Sequence, residues 1–191
     1  MTPFDLIPVP VWQATVAGAF VAAGWLVNGW QNRRVAASLR DERLRDVHRA
    51  LYAEIGTNVA NLGSVAGLEA ERQTIDGRMH ADPGFVPFIP RERDDRVFEA
   101  LVKDIHILPR SSIDAVVAYY VQIGRIAALA EDMRSDGFRS LEQDRRILMY
   151  GDYIAMKKQS LLYGEHAKVM INAYANGGPA AARRARSDAA Q

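Results

Sequence analysis

The chain has 191 residues and a formal net charge of +1, with 49% of its residues apolar and 25% charged. That is the composition of one globular domain, and the near-neutral total excludes a global electrostatic pull toward nucleic acid, so no nucleic-acid partner is expected. Cysteine is absent, which excludes a disulfide framework, a thiolate metal site and a thiol nucleophile while selecting no compartment.

The first element is the apolar run "VWQATVAGAFVAAGWLVNGW", residues 11–30. About 20 helical residues cover roughly 30 Å, the thickness of a hydrocarbon core. Trp12 lies at one end and Trp25 and Trp30 at the other, and indole rings favour the headgroup level. No charged residue falls between Asp5 and Arg33. A secretory signal peptide would need a basic leader, and "MTPFDLIPVP" has no Lys or Arg. A buried core helix is the remaining alternative, because the uninterrupted run is short and rich in Ala and Gly. The favoured reading is a single transmembrane helix within residues 1–32.

Arg33, Arg34, Arg40, Arg43 and Arg45 follow the run. Positive charge beside a span is retained on the cytoplasmic side. The expected topology is an inner (cytoplasmic) membrane protein with its N-terminus outside and its C-terminal body in the cytoplasm. The lipid bilayer is then one partner, and the arginines suit anionic lipid headgroups. Ala14, Gly18 and Ala22 recur every four residues, a small stripe that lets membrane helices approach closely, and Asn28 adds an interhelical hydrogen bond. Together they raise a homo-oligomer as an expectation.

Residues 33–176 read as a helical bundle domain. Leu44, Val47, Leu51, Ile55, Val59 and Leu62 step by three and four along a long first helix running to about Glu71, with a break near Gly63 as the alternative. Residues 73–95 read as a Pro-rich arm, since Pro83, Pro87 and Pro90 deny it a helix. Its Phe85, Val86, Phe88 and Ile89 suggest an arm packed on the helices. A short helix is expected from Arg96 to Leu108, where Pro109 stops it. Ser111 with Asp114 suggests a capping box for the next helix, whose buried face would be Ile113, Val116, Val117, Tyr120, Ile123, Ala127 and Ala130.

The last helix is expected from Ser140 to Asn176. Leu141, Leu148, Ala155, Leu162 and Val169 repeat every seven residues, joined by Ile147, Ile154 and Leu161, a stripe suited to antiparallel packing on the first helix; Asp144, Gly151 and Lys158 at the second seam positions favour a bundle over a free-standing coiled coil. Gly177, Gly178 and Pro179 end it, and residues 177–191 read as a disordered tail with Arg183, Arg184 and Arg186 exposed. The fold class is therefore all-α, one N-terminal transmembrane helix continuing into a cytoplasmic antiparallel helical bundle. Its shared core is expected to hold Leu51, Ile55, Leu62, Leu101, Val117, Tyr120, Leu148 and Leu162.

A membrane helix followed by "LYAEIGTNVANL" and then "VFEALVKDIHILPRSSIDAVVAYY" resembles a loose group of small uncharacterised bacterial single-pass membrane-anchored helical proteins. The resemblance covers most of residues 11–130. The group carries no assigned activity, so it implies a membrane-anchored helical architecture and no site residues.

Chemical signatures are sparse. None of His48, His80, His106 and His166 has Glu three residues before it, as a bundle di-metal site requires, so no metal or cofactor is expected. No nucleophile elbow, P-loop or dinucleotide fingerprint occurs, and no catalytic residue is assigned. The most site-like group is Glu54, Asn58 and Asn61, which share one face of the first helix. It reads either as a polar seam for a partner or, more simply, as caps for loop backbone. The favoured function is a membrane-anchored, cytoplasm-facing interaction or scaffold protein with an unknown membrane or cytoplasmic protein partner. The alternatives are an oligomeric membrane-perturbing or pore-forming protein, and an enzyme with an unrecognised site between bundle helices.

Overall fold

The structure, a computed structural model, describes residues 9–91 and 95–188. It is all-helical, with no strand among the described residues. The chain divides into two compact units, Met1–Arg43 and Leu44–Gln191. The first helix, α1 (Val9–Leu62), begins in one and ends in the other. No proline occurs after Pro10 to interrupt it, so its backbone bonds close on themselves throughout.

In the first unit the apolar run is helical but not buried. Every side chain from Trp12 to Asn28 is exposed; Trp25 is 78% and Phe20 75% accessible. Arg33 Nε donates to the Gly29 carbonyl at 3.0 Å. The Arg34 guanidinium sits 4.5 Å from the Trp30 ring centroid.

In the second unit α1 turns amphipathic. Val47, Leu51, Ile55 and Val59 are buried, one helical face at three- and four-residue steps. The helix stops at Gly63, whose φ of 76° is the left-handed conformation that ends helices and favours glycine. Ser64 then caps the next helix, α2 (Val65–Ala81), accepting from Gly67 N at 3.0 Å. The long helix expected to run to about Glu71 therefore ends at Leu62, at the alternative break near Gly63, and the arm starts later than residue 73. Nothing from Gln73 to Ala81 breaks a helix; the prolines begin at Pro83.

The arm itself runs from Asp82 to Arg91 in its described part. Gly84 N donates to Asp82 Oδ1 at 2.8 Å, turning the chain. Extended backbone here has no ladder partner, so its carbonyls need other donors. Arginines supply them: Arg146 donates to Phe85 O (3.2 Å) and Pro83 O, and Arg134 to Pro90 O (2.8 Å). Ile89 is buried, whereas Phe88 is 89% exposed.

After the arm, α3 (Arg96–Leu101) tightens into a 3-10 turn, Val102–Ile107, where one continuous helix was expected. The next helix, α4 (Arg110–Arg134), starts with Pro109 at its N-cap, so the capping box of Ser111 and Asp114 does not form. The Pro109 carbonyl instead accepts from Ser112 N and Ile113 N. Its buried face is Ser112, Ala115, Val116, Tyr119, Tyr120, Gln122, Ile126, Ala130 and Met133. This is rotated from the expected one, and Val117 is exposed. Among the described residues α4 is the helix long and apolar enough to cross a membrane, with 39% of that apolar stretch buried. The described part of α1 does not reach the same measure; Gln13, Thr15, Asn28 and its tryptophans and glycines lower its mean hydropathy.

A four-residue helix, α5 (Asp136–Arg139), capped by Ser135, leads to α6 (Gln143–Asp188). Here the expectation fails most clearly. Of the expected stripe, Ile154 and Leu161 are buried and Leu141 and Ile147 half-buried, but Leu148 is 61%, Leu162 66% and Val169 51% exposed. The buried face is the opposite one, with Tyr150, Tyr153, Ile154, Leu161, Gly164, Ala167, Met170 and Ile171. A helix buries one face against α4 and α2, and this face carries the aromatics and the small residues that admit close approach. At Gly164 an added Cβ would lie 2.4 Å from Val59 Cγ2 and 3.1 Å from the Tyr119 ring.

The end of α6 also departs from expectation. The backbone breaks at Gly177 and Gly178, the latter at φ 61°, then resumes as a helix from Pro179 to Asp188 rather than a disordered tail. Proline suits a first helical turn, and the run "AAARRAR" is a strong helix former. Ala182 is fully buried and Arg186 pairs with Asp114 at 3.0 Å. Of the expected core, Leu51, Ile55 and Tyr120 are buried and Leu62 and Leu101 half-buried, while Val117, Leu148 and Leu162 lie outside.

These faces make a direct comparison. In denaturant unfolding of the full chain, Ile154→Ala is expected to cost about 2–5 kcal/mol and Gly164→Ala about 1–3 kcal/mol through overpacking. Leu148→Ala should stay within about 0.5 kcal/mol of the parent. Equal losses at Ile154 and Leu148 would mean that the assigned faces are wrong.

Candidate functional site: an arginine-lined cavity

The expected polar seam spans two neighbouring pockets, with Glu54 and Asn58 lining one and Asn58 and Asn61 the other. The Glu54 carboxylate is a structural acceptor, taking Val97 N at 2.6 Å, Phe98 N at 3.1 Å and the Tyr120 hydroxyl at 2.6 Å. It thus satisfies free N–H groups in the first turn of α3, where a carboxylate also meets the positive end of the helix. The Phe98 and Tyr120 rings stack above it, centroids 3.9 Å apart. Burial and the bond to Glu54 raise the Tyr120 pKa far above the ordinary phenol range.

Asn58 borders the Glu54 pocket too, with Arg96 and Val97; Asn61 does not line it. Asn58 and Asn61 both line a cavity of about 540 Å³, Asn58 buried and Asn61 exposed. The cavity has an apolar wall, Ile123, Ile126, Ala127 and Ala130 of α4 with Leu62 of α1, and a cationic side formed by Arg91, Arg96 and Arg134. Among the described residues no carboxylate lines it. Arg134 is held by Pro90 O and by Glu131 at 2.5 Å. The Arg134 guanidinium in turn keeps the Glu131 carboxyl below its usual pKa. Arg91 and Arg96 are exposed. Volumes of roughly 300–1,000 Å³ with few polar groups on apolar walls are those of small-ligand and side-chain pockets. This one suits an anionic group joined to an apolar one. Arg91 of the arm and Arg96 of α3 are near neighbours in sequence, but Arg134 comes from α4, far from both, so spacing could not have grouped it with them. Only the charge run "RERDDR" hinted at Arg91 and Arg96.

One buried pair invites a catalytic reading. His48 Nε2 lies 2.9 Å from Ser112 Oγ, and Ser112 Oγ lies 3.3 Å from Pro109 O. The network assigns a proton to Nε2, which donates to Ser112, which donates to Pro109. The pair has the outline of a nucleophile and base, but Ser112 is fully buried and His48 nearly so. The geometry gives no substrate a path to the hydroxyl. Burial also lowers the His48 pKa from 6.5 to about 4, so the ring is neutral in the folded state at pH 7.

The other sequence-selected residues are dispersed. His80 Nδ1 lies 2.7 Å from Asp76 O, and His106 is exposed. Among the described residues no group of three His, Cys, Asp or Glu side chains is placed to hold a metal ion. Trp12, Trp25 and Trp30 are exposed along α1 with Ala14, Gly18, Ala22 and Asn28, and a Cβ at Gly18 would meet open space. A second ionic cluster ties α2 to α6: Glu69 accepts from Arg72 and Lys158, bonds that lower its carboxyl pKa to about 2.

No family model matches the chain, and neither a curated protein nor a solved structure is significantly similar to it.

Two measurements check these assignments. The His48 pKa is depressed in the folded state, so between about pH 6.5 and 4 the unfolded chain binds the extra proton. Stability should be complete above that window and fall as pH drops through it, by at most about 3 kcal/mol; His48→Gln should flatten this slope. Separately, Glu54→Ala should lower stability by about 1–3 kcal/mol by stranding buried donors. Glu54→Gln, which keeps one acceptor, should lose less in the same unfolding experiment.

Proposed function

We propose that this chain is a single-pass inner-membrane protein whose helical body, an antiparallel bundle, faces the cytoplasm and acts by binding a partner rather than by catalysis. The observation that carries the anchor is the exposure of every side chain from Trp12 to Asn28 on an unbroken helix. Burying an apolar side chain is worth about 1.5–3 kcal/mol for the larger types. A helix apolar on all sides and covered on none suits an apolar solvent, and its internally bonded backbone is what a hydrocarbon layer requires. The core-helix alternative would need this face covered by the chain itself. The apolar stretch of α4, by contrast, belongs to the core: Val116, Tyr119, Tyr120 and Ile126 are buried.

Orientation rests on the arginines. Arg33 and Arg34, folded back onto Gly29 and the Trp30 ring, lie at the end that bears Arg40, Arg43 and Arg45. Charges there favour retention on the cytoplasmic side and contact with anionic headgroups. In the body, the arginine-lined cavity offers an acidic group on a partner both cations and an apolar wall, the pairing from which specific interfaces are built.

The anchor is tested by extraction. The full-length chain should stay with membranes through carbonate and high salt, because salt screens surface charge and does not release a span. A chain starting at Val35 should be soluble and cooperatively folded without detergent. A C-terminal reporter active only in the cytoplasm should work, and one requiring the periplasm should be silent. A soluble, monodisperse full-length protein would refute the anchor, and the opposite reporter pattern would refute the orientation.

A further inference from the structure

The cavity lined by Arg91, Arg96 and Arg134 has the make-up of a site for a free small molecule. We propose that it takes a small amphipathic carboxylate, a short aryl or acyl acid with its charged end among the arginines and its apolar body against α4. The inference rests on the reading of this cavity as a binding site, names the chemical class of its ligand, and is independent of the anchor.

Three observations select this class. The first is the division of the lining. Leu62, Ile123, Ile126, Ala127 and Ala130 form an apolar wall, and the three arginines form a cationic side. A bare anion serves only the arginines, and a neutral apolar molecule serves only the wall. A molecule with one polar and one apolar end serves both, which is how small-molecule sites fix a ligand's orientation. Asn58 and Tyr153 also line the cavity and are buried, so it reaches into the body of the second unit.

The second observation is the state of Arg134. Its Nη1 donates to Pro90 O at 2.8 Å and its Nη2 to Glu131 at 2.5 Å. Its Nε–H is buried without an acceptor among the described residues. A buried donor without a partner is costly, and a carboxylate oxygen bound beside it supplies the acceptor. Glu131 offsets part of the positive charge, since its carboxyl is drawn below the usual range by Arg134 first and also by Arg91. Three cations against that one carboxylate leave an excess for an anion to neutralise.

The third observation is size. The cavity measures about 540 Å³, more than three times the roughly 150 Å³ in which an apolar protein cavity holds benzene. There is room for a ring and a short chain together with their carboxylate. A single acidic side chain entering from a protein partner fills only a fraction of that space.

The test uses radiolabelled 4-phenylbutyrate, dialysed to equilibrium against the full-length chain in nanodiscs of zwitterionic lipid, with empty nanodiscs subtracted. Saturable binding of one molecule per chain is expected. 4-Phenylbutanol keeps the body without the charge, and acetate and inorganic phosphate keep a charge without the body. Each should compete at least tenfold more weakly than unlabelled 4-phenylbutyrate. Arg91→Gln with Arg96→Gln should weaken binding at least tenfold, and Ala127→Phe, which fills the wall, should do the same. These three positions are exposed, so the thermal unfolding midpoint should stay at the parent value. Arg110→Gln removes an exposed arginine of α4 outside the cavity and should leave binding unchanged.

No saturable binding above empty nanodiscs would overturn the proposal. So would binding that survives the double arginine variant and Ala127→Phe, or that falls equally in Arg110→Gln. Equal competition by 4-phenylbutanol would overturn the carboxylate, and equal competition by acetate would overturn the apolar wall as its partner. A labelled glutamyl-phenylalanine dipeptide, capped at both ends, separates this inference from the partner reading. If it binds and is lost in the double arginine variant while 4-phenylbutyrate does not bind, the small-acid inference fails and the cavity remains a site for an acidic group on a protein.

Discussion

The missing side chain at Gly164 governs how the second unit packs. Val59 of α1 and Tyr119 of α4 both occupy the space a Cβ would take, at 2.4 and 3.1 Å. Three helices converge on that point, and Tyr119 and Ile154 are fully buried around it. Interiors packed to crystal-like density yield little to an added methyl group. Once the glycine side of α6 faces inward, the rest of that helix has no rotational freedom left. Tyr150, Tyr153, Leu161 and Met170 must follow it into the core, and Leu148, Leu162 and Val169 must face out.

Polar ties then fix what packing alone leaves loose. Gln122 donates from the buried face of α4 to Met156 O at 3.1 Å. Glu54 collects three donors from α3 and α4. Arg134 and Arg146 hold the arm by its carbonyls. Each is a buried or half-buried group that would be costly to leave unpaired. Together they specify one position for each segment that carries too few apolar side chains to hold itself. The arm needs this most, because it has no helix of its own and buries only part of its apolar run. The cavity exists because that arm is held at Pro90 by Arg134, forming one edge over the wall of α4.

Much of this was legible in the residues, and the failures have definite causes. The helical class, the amphipathic stretch from Val47 to Val59 and the position of the prolines all follow from local chemistry, which a linear reading sees directly; the stop at Gly63 was legible only as the alternative to a helix running on to Glu71. The α6 face did not, because two apolar stripes run along that helix. Periodicity ranks them by side-chain hydrophobicity, and a stripe of leucines outranks one holding Lys157, Ser160 and Gly164. Packing ranked them by approach distance instead, and glycine won. The capping box failed because the helix starts earlier, at Arg110 with Pro109 as its N-cap, which places Ser111 inside the first turn. Glu54, Asn58 and Asn61 share a helix face as their spacing implies. Their roles as structural acceptor and cavity lining depend on segments about 30 or more positions away, which no local pattern encodes.

Two apolar surfaces remain uncovered, and their geometries ask for different surroundings. From Trp12 to Asn28 the exposure runs around the whole helix, with no charged side chain among these residues and aromatic rings near both ends. Such a surface has no preferred direction, and a medium that is apolar on every side satisfies it best. The exposed stripe of α6, Leu148, Leu162 and Val169, is one-sided and bordered by Asp144, Arg145, Asp152 and Lys158. Immersing it in lipid would strip water from those charges, at a cost of several kcal/mol for each one left unpaired. A partner on one side would cover such a stripe and leave its shoulders wet. The two surfaces thus differ in what would remove them from water, one needing an apolar medium all round and the other cover on a single side, and the placement of charge distinguishes them.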